Sequence, residues 1–280
     1  MCINCGCAQG TEATFIAAEP LTAHGRSPHP KSAAWGLGAT VQMQAVVNHY
    51  RHQVTMPPLR PTLTSHDHSD RSHLAHNEHI AAQVRTRLRH QHSLALNFVS
   101  SPGAGKTTLL TRTLKDLQGE MPFTVLVGDQ ATTQDMDRIR ATGCPALQVN
   151  TGIGCHLDAA MVQAGLAQLS PPDRAVVMVE NVGNLMCPAL FDLGEAAKVA
   201  VLSVTEGEDK PLKYPHLFRA SRVMILNKVD LLPHVRFDLA RCLGYALQIN
   251  PRLEIFQVSA TTGAGLGRWY DWLRDRLAAL

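Results

Sequence analysis

The stretch Leu94-Ala-Leu-Asn-Phe-Val-Ser-Ser-Pro-Gly-Ala-Gly-Lys-Thr-Thr108 decides the reading of this chain. An apolar run predicts a strand over Leu94 to Val99, and a glycine-containing loop leads from it into a helix that opens with Lys and Thr. A phosphate-binding P-loop needs that order. Main-chain N–H groups of the loop and the helix N-terminus hold phosphate, Lys106 reaches the β- and γ-phosphates, and Thr107 is placed to ligate Mg²⁺. Gly103, Ala104, Gly105 and Thr108 complete the cradle. The strict pattern has Gly at position 100, where this chain has Ser.

Downstream, short apolar or β-branched runs recur at Phe123 to Val127, Ala146 to Val149, Ala175 to Val179, Val199 to Val204, Val223 to Leu226 and Ile255 to Val258. They alternate with helix-like segments such as Thr107 to Leu117 and Leu266 to Leu277. Continuous apolar strands separated by amphipathic helices predict an α/β fold, a largely parallel sheet covered by helices on both faces. Ligands of that architecture bind where loops leave the carboxyl ends of the strands.

A second nucleotide signal stands at that end of the sheet. Asn227-Lys-Val-Asp230 follows the strand Val223 to Leu226. The Asp230 carboxylate suits both N1–H and the 2-amino group of guanine, a donor pair that adenine lacks. Asn227 and Lys228 flank it, and Ser259-Ala260 after the last strand adds a further guanine contact. Asp129 and Glu180-Asn-Val-Gly183 also end strands. An acid there holds Mg²⁺ directly or through water, and the Gly183 amide can approach the γ-phosphate, so this loop is placed to sense hydrolysis. Ordinary G proteins carry Asp where Glu180 stands, and no Gln is placed to orient water, so slow turnover is expected.

The region before Leu94 differs in composition. It holds 11 of the 14 histidines and the whole net charge of +3, and its basic residues are too diluted for a nucleic-acid footprint. No leader-like start and no run of about 18 apolar residues is present, so a cytoplasmic chain without a membrane span is expected. Residues 8–77 read as a flexible His- and Pro-containing linker with a short helix near Val41 to Tyr50. Ile80, Val84 and Leu88 recur at four-residue spacing and predict an amphipathic helix entering the G domain, taken as 78–280.

Three sets of residues suit metal. Cys2, Cys5 and Cys7 form a compact C-x₂-C-x-C cluster in residues 1–7, which with a free amine on Cys2 suits square-planar Ni²⁺ and would also accept tetrahedral Zn²⁺. Cys155-His156, expected to open a helix, and Cys187, beside the Glu180 to Gly183 loop, make a second set. Packed core thiols are the alternative for these two cysteines. Histidines 66, 68, 73, 76 and 79 form a looser group, a weak metal buffer or a solvated polar linker. Cys144 and Cys242 lack such company and read as structural.

Taken together, these words resemble the HypB family, nickel-inserting GTPases of [NiFe]-hydrogenase maturation. The resemblance rests on Cys2-Ile-Asn-Cys-Gly-Cys7, Ser100 to Thr108, Gly152-Ile-Gly-Cys-His-Leu-Asp158, Glu180-Asn-Val-Gly-Asn-Leu-Met-Cys-Pro188, Val204-Thr-Glu-Gly-Glu-Asp-Lys-Pro-Leu-Lys-Tyr-Pro215 and Asn227 to Asp230. Ser100 is also that family's usual residue. The resemblance implies a P-loop GTPase using GTP/GDP and Mg²⁺, with a tight nickel site at Cys2, Cys5 and Cys7. It implies a weaker Ni²⁺ or Zn²⁺ site at Cys155, His156 and Cys187. It further implies a homodimer linked to GTP or metal, delivery to the hydrogenase large subunit, and a zinc-binding accessory partner, HypA. A urease-type nickel GTPase and a nickel store with weak GTPase activity are the competing readings. The N-terminal cysteine cluster argues against the first, and appreciable GTP turnover would argue against the second.

Overall fold

The computed structural model describes residues 14–17, 67–129, 133–152 and 154–280, with side chains from residue 72 onward. The cluster at Cys2, Cys5 and Cys7, His66, and the expected helix near Val41 to Tyr50 lie outside the described residues.

The strands are β1 (Thr14–Ala17), β2 (Leu94–Ser100), β3 (Phe123–Asp129), β4 (Ala146–Asn150), β5 (Val176–Glu180), β6 (Ala197–Ser203), β7 (Val223–Asn227) and β8 (Glu254–Gln257). They form one sheet in the order β1-β4-β3-β5-β2-β6-β7-β8, in which β1 runs antiparallel to β4 and every other pair is parallel. The helices are α1 (Asp67–His90), α2 (Lys106–Asp116), α3 (Gln134–Arg140), α4 (Ala159–Leu169), α5 (Cys187–Leu190), α6 (Lys210–Lys213), α7 (Pro215–Ala220), α8 (Leu239–Ile249) and α9 (Leu266–Ala278).

Alternation along β2 shows how the sheet is covered. Leu94, Leu96 and Phe98 face the layer of Leu109, Leu110 and Leu114 on α2 and Trp269 and Leu273 on α9. Ala95 faces Val84 and Leu88 of α1 and Val162 and Leu166 of α4. Val99 joins the cluster of Leu217, Phe218, Leu243 and Ala246 from α7 and α8. Each Leu, Val or Phe side chain so buried contributes roughly 1.5–3 kcal/mol. The expected helix at Ile80, Val84 and Leu88 forms, but it begins at Asp67, so the boundary expected at residue 77 falls inside α1. Asn77 is buried there; its Nδ2 donates to the Asp192 carbonyl at 2.7 Å and its Oδ1 accepts from the Ala159 amide at 2.8 Å.

One local expectation is corrected. Cys155 and His156 do not open a helix: α4 starts at Ala159, because the Asp158 side chain accepts from the Met161 amide at 2.8 Å and caps it there. The two residues occupy the preceding loop, free of helical geometry. Among the described residues no helix is long and apolar enough to cross a membrane.

Candidate functional site

The sheet order sends the chain to opposite sides of β2, and the crevice at the carboxyl ends of β2, β5 and β6 is where such folds bind ligands. The P-loop leaves β2 there. Gly103 and Gly105 adopt φ of +76° and +90°, in the left-handed region that favours glycine. Gly105 has a second constraint, since a Cβ there would lie 2.5 Å from Asn227 Nδ2.

Glu180 ends β5 in register with Phe98 and points into the loop. Its Oε1 accepts from the Thr107 hydroxyl at 2.6 Å and lies 3.4 Å from Lys106 Nζ. Its Oε2 is buried without a hydrogen-bond partner. Burial pushes the Glu180 carboxyl up, Lys106 and the Thr107 hydroxyl pull it down, and Asp135 adds to the rise; burial wins. An orphaned carboxylate oxygen beside a threonine hydroxyl suits a hard divalent cation with oxygen ligands, and Mg²⁺ fits. Gly183 lies against the P-loop, where a Cβ would stand 3.1 Å from Pro102 Cγ and 3.3 Å from Pro102 N.

The Asn227 motif packs against both the P-loop and the segment after β8. Asn227 Nδ2 donates to the Ala104 carbonyl at 3.0 Å, and its Oδ1 accepts from the Ala260 amide at 3.1 Å. Lys228 Nζ donates to the Gly103 carbonyl at 2.7 Å. The Ser259 hydroxyl accepts from the Thr262 amide at 3.1 Å and shapes the turn that carries Ala260. Asp230 lies half-buried in the six-residue 3₁₀ segment Val229–His234, whose first amide donates to the Val258 carbonyl at 3.2 Å. Asp129 enters through its main chain: its carbonyl accepts from the Thr151 amide at 2.9 Å, which ties the end of β3 to the loop before Cys155.

The metal-suited trio also converges. One ligand atom from each of Cys155, His156 and Cys187 lies within 4.8 Å of the other two, and Cys155 Sγ is 3.7 Å from His156 Nδ1. Burial holds the His156 pKa below its ordinary value, against the opposing pull of Asp158, which favours the neutral imidazole that binds metal. The Phe191 ring centroid packs 4.0 Å from that of His156 and limits its rotation. Asn184 Nδ2 donates to the Cys155 carbonyl at 3.4 Å, joining the loop after β5 to the loop before α4. Both thiols and the imidazole therefore come together in one cluster, with Cys187 buried.

Several neighbours escaped the sequence reading. Arg138 of α3 donates to the Thr108 hydroxyl at 2.7 Å, and Lys210 Nζ donates to the Ser101 hydroxyl at 3.3 Å. Asp135 is close enough to act on Glu180. Their signals are single charged residues in surface helices, which spacing alone cannot aim at a loop. Asn97 and Lys198, polar residues inside otherwise apolar strands, were the more visible signal.

A family model for the CobW/HypB/UreG nucleotide-binding domain matches residues 94–257. The hydrogenase maturation factor HypB of Escherichia coli K12 is 55% identical over 203 residues, covering 72% of this chain and 70% of that protein. That of Azotobacter vinelandii is 56% identical over 200 residues, covering 71% and 66%. Among solved structures, HypB from Archaeoglobus fulgidus superposes with a TM-score of 0.69 at 39% identity, over 73% of this chain and all of that one. HypB from Helicobacter pylori in complex with nickel superposes with a TM-score of 0.68 at 34% identity, over 72% and 95%. With the P-loop, the Asn227 motif and the Cys-His-Cys cluster all following the carboxyl ends of strands, the chain belongs to the HypB branch of the CobW/HypB/UreG nucleotide-binding family.

Proposed function

We propose that this chain is a Mg²⁺-dependent GTPase that carries nickel and delivers it to the large subunit of a [NiFe]-hydrogenase during maturation. The observation that carries the reading is the contiguity of two sites. The loop from Glu180 to Cys187 supplies an acid to the P-loop at one end and a cysteine sulfur to the Cys155–His156–Cys187 cluster at the other. Relatives at 55% and 56% identity that are named hydrogenase maturation factors support the cargo and its destination, as does the nickel complex of a 34% identical relative.

In this reading Lys106, Thr108 and the amides of Gly103, Ala104 and Gly105 hold the phosphates. Asn227 braces the loop, while Lys228, Asp230, Ser259 and Ala260 form the guanine side. Thr107 and Glu180 hold Mg²⁺, with Asp129 at the neighbouring strand end; bound there, the ion offsets negative charge developing on the transferred phosphoryl oxygens. The Gly183 amide, against Pro102, registers the γ-phosphate. Cys2, Cys5 and Cys7 form the tight nickel site, and Cys155, His156 and Cys187 the second site, for Ni²⁺ or Zn²⁺. Exposed Met186 and Leu190 flank Cys187 and support a GTP- or metal-linked homodimer through this face. HypA-type accessory protein and the large subunit are the expected partners, in the cytoplasm.

The test measures nucleotide hydrolysis and nickel stoichiometry on the same purified chain. The reading expects Mg²⁺-dependent turnover of GTP well above ATP, and loss of one nickel equivalent in Cys155→Ala with GTP binding retained. Nickel binding without GTP turnover would identify a store instead.

A further inference from the structure

Beneath the metal cluster runs a chain of buried polar side chains that neither site absorbs. Asn97, in the middle of apolar β2, and Asn181, directly after Glu180, are both fully buried. Asn181 Oδ1 accepts from the Leu157 amide at 3.0 Å and from the Val182 amide at 3.0 Å. Its Nδ2 donates to Asn97 Oδ1 at 3.1 Å, and Asn97 Nδ2 donates to Glu195 Oε1 at 3.3 Å. Glu195 Oε1 lies 3.7 Å from Lys198 Nζ, and the two side chains are 7% and 6% exposed. Lys198 Nζ donates to the carbonyls of Pro188, Ala189 and Phe191 at 2.8, 3.3 and 3.0 Å.

The three loop ends of this chain are informative. Leu157 follows Cys155 and His156, Val182 sits in the loop facing the P-loop, and Pro188 to Phe191 carry Cys187 and the ring that packs on His156. Apolar side chains of similar volume would serve stability at least as well as a buried Lys–Glu pair. A satisfied polar network instead fixes one arrangement of the main chains it joins.

We propose that Asn97, Asn181, Glu195 and Lys198 are positioning residues that preform the Cys155–His156–Cys187 site and lock its geometry to the loop 181–183; this rests on the reading of those three residues as a metal site. A displacement of Val182 is transmitted through Asn181 to Leu157 and, by way of Asn97 and Glu195, to the Lys198 clamp on the Cys187 segment. Residues that orient metal ligands without touching the metal change affinity by roughly 10–100-fold when removed.

The experiment uses the full chain with Cys2, Cys5 and Cys7 replaced by Ala as parent, so that nickel reports only the second site. Nickel is titrated against the thiolate-to-nickel absorption with GDP and with a non-hydrolysable GTP analogue bound. Asn97→Ala cuts the relay in its middle, and Lys198→Met removes the clamp with an apolar chain that packs. In each folded variant, nickel affinity should fall by about tenfold or more, and the ratio of affinities between the two nucleotide states should shrink toward one, while GDP affinity stays within about twofold of the parent. If Asn97→Ala does not fold, Lys198→Met decides by the same criteria. Unchanged affinity, or lowered affinity with an unchanged ratio, overturns the relay. A parent that binds no nickel at all overturns the metal reading itself, and the relay with it.

Discussion

A methyl group added at Gly105 would lie 2.5 Å from the Nδ2 atom of Asn227. The phosphate loop and the guanine-side motif, over 100 residues apart in sequence, are thus packed with no room between them. Asn227 makes the junction polar as well as tight, bonding the Ala104 carbonyl on one side and the Ala260 amide on the other.

Gly105→Ala should therefore abolish nucleotide binding while leaving the sheet intact. The new Cβ meets both the Asn227 amide and a φ of +90° that L side chains rarely adopt. A drop of at least about a hundredfold in GDP affinity, with an unchanged circular dichroism spectrum, is the expected result; strain of this kind amounts to about 1–3 kcal/mol before the clash is added.

Asp230→Asn should weaken GTP binding and favour xanthosine triphosphate, because Asn replaces an acceptor with a donor suited to the xanthine 2-oxygen. Competition between the two nucleotides measures the change. Unaltered preference would remove Asp230 from the base site.

Acidification should loosen α1 from the segment after Cys187. Burial works against the Asp192 carboxylate, but bonds from Arg85 and the Gly194 amide outweigh it and hold its pKa below the ordinary 3.8. Arg85 Nη2 lies 2.6 and 2.5 Å from the two carboxylate oxygens. A pKa lowered on folding stabilises above the unfolded value, and that contribution is lost as pH falls through the folded one. Because the pair is partly exposed, it contributes no more than about 1 kcal/mol. The melting-temperature gap between the natural chain and Asp192→Asn should be present at neutral pH and close below about pH 4.

Thiol alkylation should separate the cysteines. Burial pushes Cys144 and Cys242 up to about 12, so little thiolate exists there at mild pH and both should react slowly. Nickel should protect Cys155 and Cys187 from reagent and leave Cys144 and Cys242 unaffected, as read by peptide mass spectrometry.

Much of this was legible in the sequence because strong local patterns carried it. Continuous apolar runs gave the parallel strands, and the Gly-Lys-Thr and Asn-Lys-x-Asp words marked two loops that pack against each other. The start of α4 was misplaced because Asp158, the residue that caps it, was passed over in favour of the Cys-His pair. The beginning of α1 was missed because its first turns are rich in His, Ser and Asp, which resemble linker, and Asn77 acquires its role only by reaching Ala159 and Asp192 across the fold. The relay through Asn97 and Lys198 depends on register between strands, which no single segment encodes.

Nickel affinity in two nucleotide states shows whether nucleotide state and metal binding act on one another through the loop from Glu180 to Cys187. The chain with Cys2, Cys5 and Cys7 replaced by Ala is titrated with nickel in GDP and in a non-hydrolysable GTP analogue, while light scattering follows its mass. Nickel affinity should differ between the two states, nickel should alter nucleotide affinity by the same factor, and the GTP analogue should give more dimer. Equal nickel affinity and equal mass in both states would contradict this coupling.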